Sequence, residues 1–443
     1  MLLEFKTKNY KSFKDELVFS MIPAPKQKGL DYSVLREKAG GKERKALSSA
    51  VIYGPNASGK TNIIGAMDAF KCIVLRGNIR NDDDKGLPNK AAHRLELIPN
   101  IGLSQPQPVS FAIRFITDGL LISYSFSLDI GKFLDVDYHR SILSETLTIN
   151  DQLIFQRENG LQIGNLGLIR PYLANALESN LESAIALSES SLNREELFLM
   201  NGFKTMFSAR LVAKITTWLE RKFMIIYHAD AVQTIQRTDD FKQGTVYINQ
   251  LLAKAASSFG INSNTIGYAV RDDENDPQLC SVFTKGSTVG KNVLMPADLF
   301  ESYGTIRFVN LFPLVANALL IGGTLVVDEF DASIHPMALM NLINIVHNDE
   351  INRNHAQLIF NTHNPIFLNS NLYRRDEIKF VERDDETHNS VHYALSDFGT
   401  TGPSGVRQKE DYMKNYFVDR YGAIKDIDFT PIFEELMNQQ KEG

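Results

Sequence analysis

Residues 54–61, Gly-Pro-Asn-Ala-Ser-Gly-Lys-Thr, constrain this chain more than any other segment. They follow a short apolar run, residues 48–53, and precede a stretch with apolar residues at helical spacing through Ala66, Met67 and Phe70. A strand that turns into a helix through two glycines leaves backbone N–H groups aimed at one point, with the positive end of the helix behind them. This is the G-x-x-x-x-G-K-[ST] phosphate cradle, and the spacing matches completely. Gly54, Pro55, Asn56, Ala57, Ser58 and Gly59 form the expected cradle. Lys60 is placed to reach the terminal phosphates, Thr61 to put its hydroxyl on Mg2+, and Asn62 follows as a further contact. The expected cofactors are ATP and Mg2+.

Three segments far along the chain complete the chemistry. Residues 324–329, Thr-Leu-Val-Val-Asp-Glu, read as an apolar strand ending in two carboxylates. Asp328 would hold the metal shell, and Glu329 would act as the general base on the attacking water. His363 follows another apolar strand, where its imidazole can sense a terminal phosphate. Residues 301–305, Glu-Ser-Tyr-Gly-Thr, stand just before a helix; Ser302 and Gly304 there would make an anion site at the helix start. The expected ligand of that site is a nucleotide held by a second copy of the chain.

The pattern along the chain predicts an α/β fold. Apolar alternation at Leu17, Phe19 and Met21 marks a strand, and the polar stretch 23–45 reads as a solvated loop rich in Lys and Arg. Between residues 109 and 163 the signals are β, with turns at Asp118 and Gly119, at Asn150 and Asp151, and at Asn159 and Gly160. From 168 to 259 the period becomes helical. After 290 come a helix (306–319), a strand (324–327), a helix (336–347) and a strand (356–361), the order of a parallel sheet covered on both faces. Three units follow: an N-terminal lobe, 1–165; a helical insertion, 166–290; and a C-terminal lobe, 291–443. The acidic runs 82–84 and 272–274 read as solvated turns, and His388 and His392 as a surface pair.

Net charge is -6, so no global basic field advertises nucleic acid, although a local basic face leaves room for it. Two separated cysteines, Cys72 and Cys280, exclude a zinc hook and a disulfide framework. The start lacks the apolar core of a signal peptide. The run 311–327 is broken by Pro313 and by Gly322 and Gly323, which predicts a buried helix, a turn and a strand. No membrane association and a cytoplasmic location are expected.

The order GPNASGKT, ESYGT, LVVDEFDASIHP, FNTHN resembles the ABC ATPases of the SMC, RecF and OLD kind. ESYGT stands at that family's signature and Asp331 opens its D-loop; the opening FKTKNYKSF is similar to that of RecF-like proteins. The tail, from YRRDEIKFVE (373–382) through Arg407 to Arg420, is similar to the AAA-annotated ATPases of bacterial phage-defence operons, of the AbiL and PARIS type. The resemblance covers most of 1–70 and 295–425. It implies an ABC-type head that hydrolyses ATP and closes with a second copy as a homodimer or higher oligomer through ATP-sandwich interfaces. It further implies a regulatory role in antiviral defence toward a separately encoded effector; the alternative is a DNA-repair ATPase that clamps DNA. The signature departs from the family pattern, with Tyr303 and Thr305 in place of Gly and Gln. The Q-loop glutamine has three candidates, Gln107, Gln152 and Gln156. Coiled-coil arms and a TOPRIM nuclease are absent from the pattern.

Overall fold

The computed structural model describes all residues except 26, 28, 81–94, 136–137, 175–179, 228–245, 271–276, 285–291, 401–404 and 440–443. Its centre is a six-stranded sheet in the order Phe223–Ile226, Thr324–Val327, Gln357–Asn361, Ser49–Tyr53, Ile378–Arg383, Ser390–Ala394. The first five strands run parallel and the last is antiparallel to its neighbour. Strands such as SAVIY and QLIFN are buried along their whole length, because a parallel sheet carries helices on its faces.

The pleat sorts these side chains into two cores. Ile52, Val326, Ile359 and Val381 face one side, where they join Ile63, Met67 and Phe70 of the helix Lys60–Arg76. The same cluster takes in Phe5, Phe111 and Phe126 from a seven-stranded antiparallel sheet built from the N-terminal lobe. Val51, Tyr53, Leu325, Val327, Leu358 and Phe360 face the other side and meet the helices Tyr303–Ile321 and Pro336–His347. The chain is therefore an α/β fold, a central sheet covered on both faces, with a β-rich N-terminal lobe.

The helix Tyr303–Ile321 is long and apolar enough by composition to cross a membrane. Here Phe308, Leu311, Val315 and Ala318 bury their side chains in the second core, as a core helix does.

Several expectations change. The stretch 23–45 is not a loop throughout: Val34–Ala39 and Lys42–Leu47 pair as a hairpin across Gly40 and Gly41, with Leu35, Ala39 and Ala46 buried beneath the exposed lysines. Lys26, Lys28 and the acidic runs 82–84 and 272–274 lie outside the described residues. The expected helical insertion is of mixed character. Leu181–Ser190, Ala209–Thr217 and Gln250–Phe259 are helices, but Phe223–Ile226 is the edge strand of the central sheet. Val246–Tyr247, Thr265–Ala269, Gln278–Thr284 and Asn292–Pro296 form a separate four-stranded sheet. Short strands of two to seven residues, interrupted by polar turns, leave too weak a period-2 trace to stand out beside helices. His388 and His392 are not a surface pair. His388 sits in an exposed turn, whereas the His392 ring lies 5.7 Å from that of Phe19, and burial, with Lys379 nearby, pushes its pKa down to about 3.

Candidate functional site

The strand Ser49–Tyr53 delivers the chain into the phosphate loop, and Gly59 caps the helix Lys60–Arg76 in a left-handed conformation, φ 109°. A side chain on Gly59 would also run into the hydroxyls of Ser12 and Ser390, both 2.7 Å from an added Cβ, so only glycine closes the loop here. The loop is buttressed by residues that the motif does not contain. Ser390 Oγ donates to the Ser58 carbonyl at 2.5 Å, and Arg383 Nη1 donates to the Ala57 carbonyl at 3.2 Å. Asn62, grouped with the cradle from the sequence, turns elsewhere: its amide donates to Ser12 Oγ, and its N–H bonds Gly59 O within the helix.

Lys60 Nζ donates to the carbonyls of Gly54 and Pro55 at 2.7 and 2.9 Å. Burial pulls its pKa down to about 8, against the opposing pull of Glu329 and Asp328. The ammonium thus lies within the field of Asp328 and Glu329, the pair of carboxylates after the strand Thr324–Val327 that stands where P-loop proteins have their Walker B motif, although they are nearly 270 residues away in the chain.

Thr61 and Asp328 meet across the same gap. Thr61 Oγ1 donates to Asp328 Oδ1 at 3.0 Å, so a hydroxyl and a carboxylate converge at the open end of the sheet. These are hard oxygen donors of the type Mg2+ takes beside substrate phosphates, and the pair fits that ion. Asn361 Nδ2 bonds the same carboxylate oxygen at 2.5 Å and fixes its orientation.

Glu329 leaves the strand in a left-handed conformation, φ 50°, which is strained for a residue with a side chain. Its peptide groups are held on both sides. Its N–H donates to Asn361 Oδ1 and its carbonyl accepts from Arg307 Nη2, each at 2.5 Å. His363 is exposed next to this cluster; partial burial first, then Lys60, lowers its pKa, so the imidazole is neutral at physiological pH. Asp331 accepts from Thr362 Oγ1 at 2.6 Å, which joins the D-loop to the residue before His363. Burial raises the Asp331 pKa more than this hydrogen bond lowers it.

Ser302 is the N-cap of Tyr303–Ile321; its Oγ accepts from Thr305 N at 3.1 Å and the residue is exposed. Gly304 packs so closely on the D-loop that an added Cβ would overlap the Ser333 carbonyl. The preceding Glu301 is buried and accepts from Asn262 N, Ser263 N, Ser263 Oγ and Ser281 Oγ. Burial raises its pKa, but these four bonds outweigh it and the net shift is downward. Through Glu301 the four-stranded sheet fixes where the signature begins.

The structure therefore gathers Lys60, Thr61, Asp328, Glu329 and His363 into one neighbourhood, and sets Ser302, Gly304 and Asp331 on and beside the D-loop. None of the Q-loop candidates makes a described contact with them. Gln152 and Gln156 belong to the seven-stranded sheet, opposite Ile149 and Thr146, and the Gln107 carbonyl accepts from Asn9. The strand beside Thr324–Val327 is followed instead by Tyr227, whose hydroxyl donates to Glu96 at 3.1 Å while Lys11 Nζ bonds both. Sequence reading missed Asn361, Arg307, Ser390 and Arg383. Only Arg307 left a signal, as the lone charge in an otherwise apolar helix.

The tail motif proves structural. Arg374 is buried against Asp376 at 3.0 Å, and Arg375 donates to the carbonyls of Gly399 and Val406.

A solved structure described as the SMC head domain from Thermotoga maritima is 13% identical over 89% of this chain and 98% of that one, with a TM-score of 0.34. Another, the SmcHead bound to the C-winged helix domain of ScpA, is 10% identical over 90% and 99%, with a TM-score of 0.38. A comparison with curated proteins finds no match. The family described as "AAA domain, putative AbiEii toxin, Type IV TA system" matches residues 49–369, which take in the phosphate loop, the signature and both Walker B carboxylates. The chain belongs to that family of P-loop ATPases.

Proposed function

We propose that this chain is an ATP-operated switch that closes head-to-tail with a second copy around two nucleotides. Thr61 and Asp328 hold Mg2+, which supplies charge neutralisation on the phosphates. Lys60 leaves the Gly54 and Pro55 carbonyls for the terminal phosphates. Glu329 takes a proton from the attacking water, and neutral His363 donates a hydrogen bond to the terminal phosphate. Ser302 and the N–H groups that follow it receive the same phosphate from the other copy. Hydrolysis removes these cross-chain bonds and lets the pair open.

The observation that carries this reading is the contact of Gly304 with Ser333. It sets the turn that begins with the exposed capping serine against the D-loop that Asp331 opens. A signature that served only as a helix cap would not need this close approach.

The cellular role we propose is regulation in a bacterial antiviral defence system, in the cytoplasm, with the closed pair holding or releasing a separately encoded effector, a nuclease by class. The family description, which names a toxin of a type IV TA system, supports that direction. The test is size-exclusion chromatography. Glu329→Gln with ATP and Mg2+ is expected to elute as a dimer and Glu329→Gln/Ser302→Arg as a monomer. An unchanged dimer in the double variant rejects the sandwich.

A further inference from the structure

Arg307 is 5% exposed, in the second turn of the helix that Ser302 caps. Among the described residues it makes one hydrogen bond, from Nη2 to the Glu329 carbonyl; Nε is buried without a partner, and no carboxylate lies within ion-pair distance. A buried guanidinium is costly unless its donors are matched, and the match that Arg307 makes among the described residues is the Glu329 carbonyl.

The carbonyl it holds belongs to the strained residue that carries the base. With the Glu329 N–H fixed by Asn361 and the carbonyl by Arg307, the left-handed backbone is held from both sides. These two clamps differ in origin. Asn361 ends a strand of the same rigid sheet, whereas Arg307 sits on the signature helix. That helix touches the segment after the Walker B strand twice, through Gly304 on Ser333 and through Arg307 on Glu329.

We infer that Arg307 is a positioning residue that ties the placement of the Glu329 carboxylate to the position of its own signature helix. When Ser302 of that helix engages the other copy's nucleotide, the helix start is fixed, and Arg307 fixes Glu329 with it. Each active site is thereby told whether its own chain has closed on the neighbour. This inference rests on the sandwich reading for its trigger, but the clamp itself lies within one chain.

The experiment measures ATP turnover by the full chain. Arg307→Met is expected to lower kcat about 100-fold, because a misplaced base costs that order, with KM for ATP within about twofold. Arg307→Lys, which retains one donor, is expected to recover part of kcat. Unchanged kcat in Arg307→Met, or a rise in KM that accounts for the whole loss, overturns the inference.

Mixing inactive variants separates this idea from the sandwich. Glu329→Gln mixed with Ser302→Arg leaves one intact composite site, so regained activity supports the sandwich and no activity rejects it. Arg307→Met mixed with Ser302→Arg leaves a site whose own Arg307 is intact, facing a chain that lacks it. Regained activity there means that Arg307 serves Glu329 of its own chain. Activity in the first mixture and none in the second overturns the clamp while the sandwich stands.

Discussion

Gly304 and Ser333 touch: the α-carbon of the one stands so close to the carbonyl of the other that a methyl group would not fit. The signature and the D-loop are thus one surface, although 29 residues of chain (333 minus 304) separate the two positions.

Gly304→Ala tests whether that surface matters for chemistry. Overpacking costs about 1–3 kcal/mol and is relieved here by displacing the D-loop. ATP turnover is expected to fall at least about tenfold while binding of a fluorescent ATP analogue is retained. Turnover at the wild-type rate would show that the close approach is dispensable.

Lys60 sets a pH dependence of binding. Its pKa in the free protein is pulled down to about 8, and phosphate binding requires the protonated form. Below that value the charge is already present; above it, binding must take up a proton. ATP affinity is therefore expected to weaken as pH rises from about 7 to about 9, with proton uptake growing over the same interval. Calorimetry in buffers of different ionisation enthalpy reads that uptake directly, and a flat profile would contradict it.

Glu301 is expected to matter for stability. Glu301→Ala strands the N–H groups of Asn262 and Ser263 in a partly buried site, which costs about 2–4 kcal/mol in chemical denaturation. The carboxyl's folded pKa lies below its ordinary 4.5, so its contribution is present above that value and is lost as pH falls through the folded one. The gap between wild type and Glu301→Ala should narrow in acid. A constant gap would assign the effect to packing alone.

The candidate site residues were legible because the chemistry proposed for them fixes local sequence. A phosphate cradle needs Gly59 at a left-handed position, and an apolar strand ending in Asp328 and Glu329 has few structural uses beside a lysine loop. The hairpin Val34–Leu47 was hidden because charged residues crowd its outward face and few apolar ones, Leu35, Ala39, Ala46 and Leu47, are buried. Arg383 and Ser390 were hidden for a different reason: their partners are backbone carbonyls of the phosphate loop, more than 320 residues away, and no spacing rule reaches that far.

The matched family region stops at residue 369, yet the hairpin Ile378–Ala394 lies alongside the nucleotide strand and braces the loop through Arg383 and Ser390. The grip on phosphate is consequently adjustable from outside the shared ATPase core. Part of what stiffens the phosphate loop therefore lies beyond the region that defines the family.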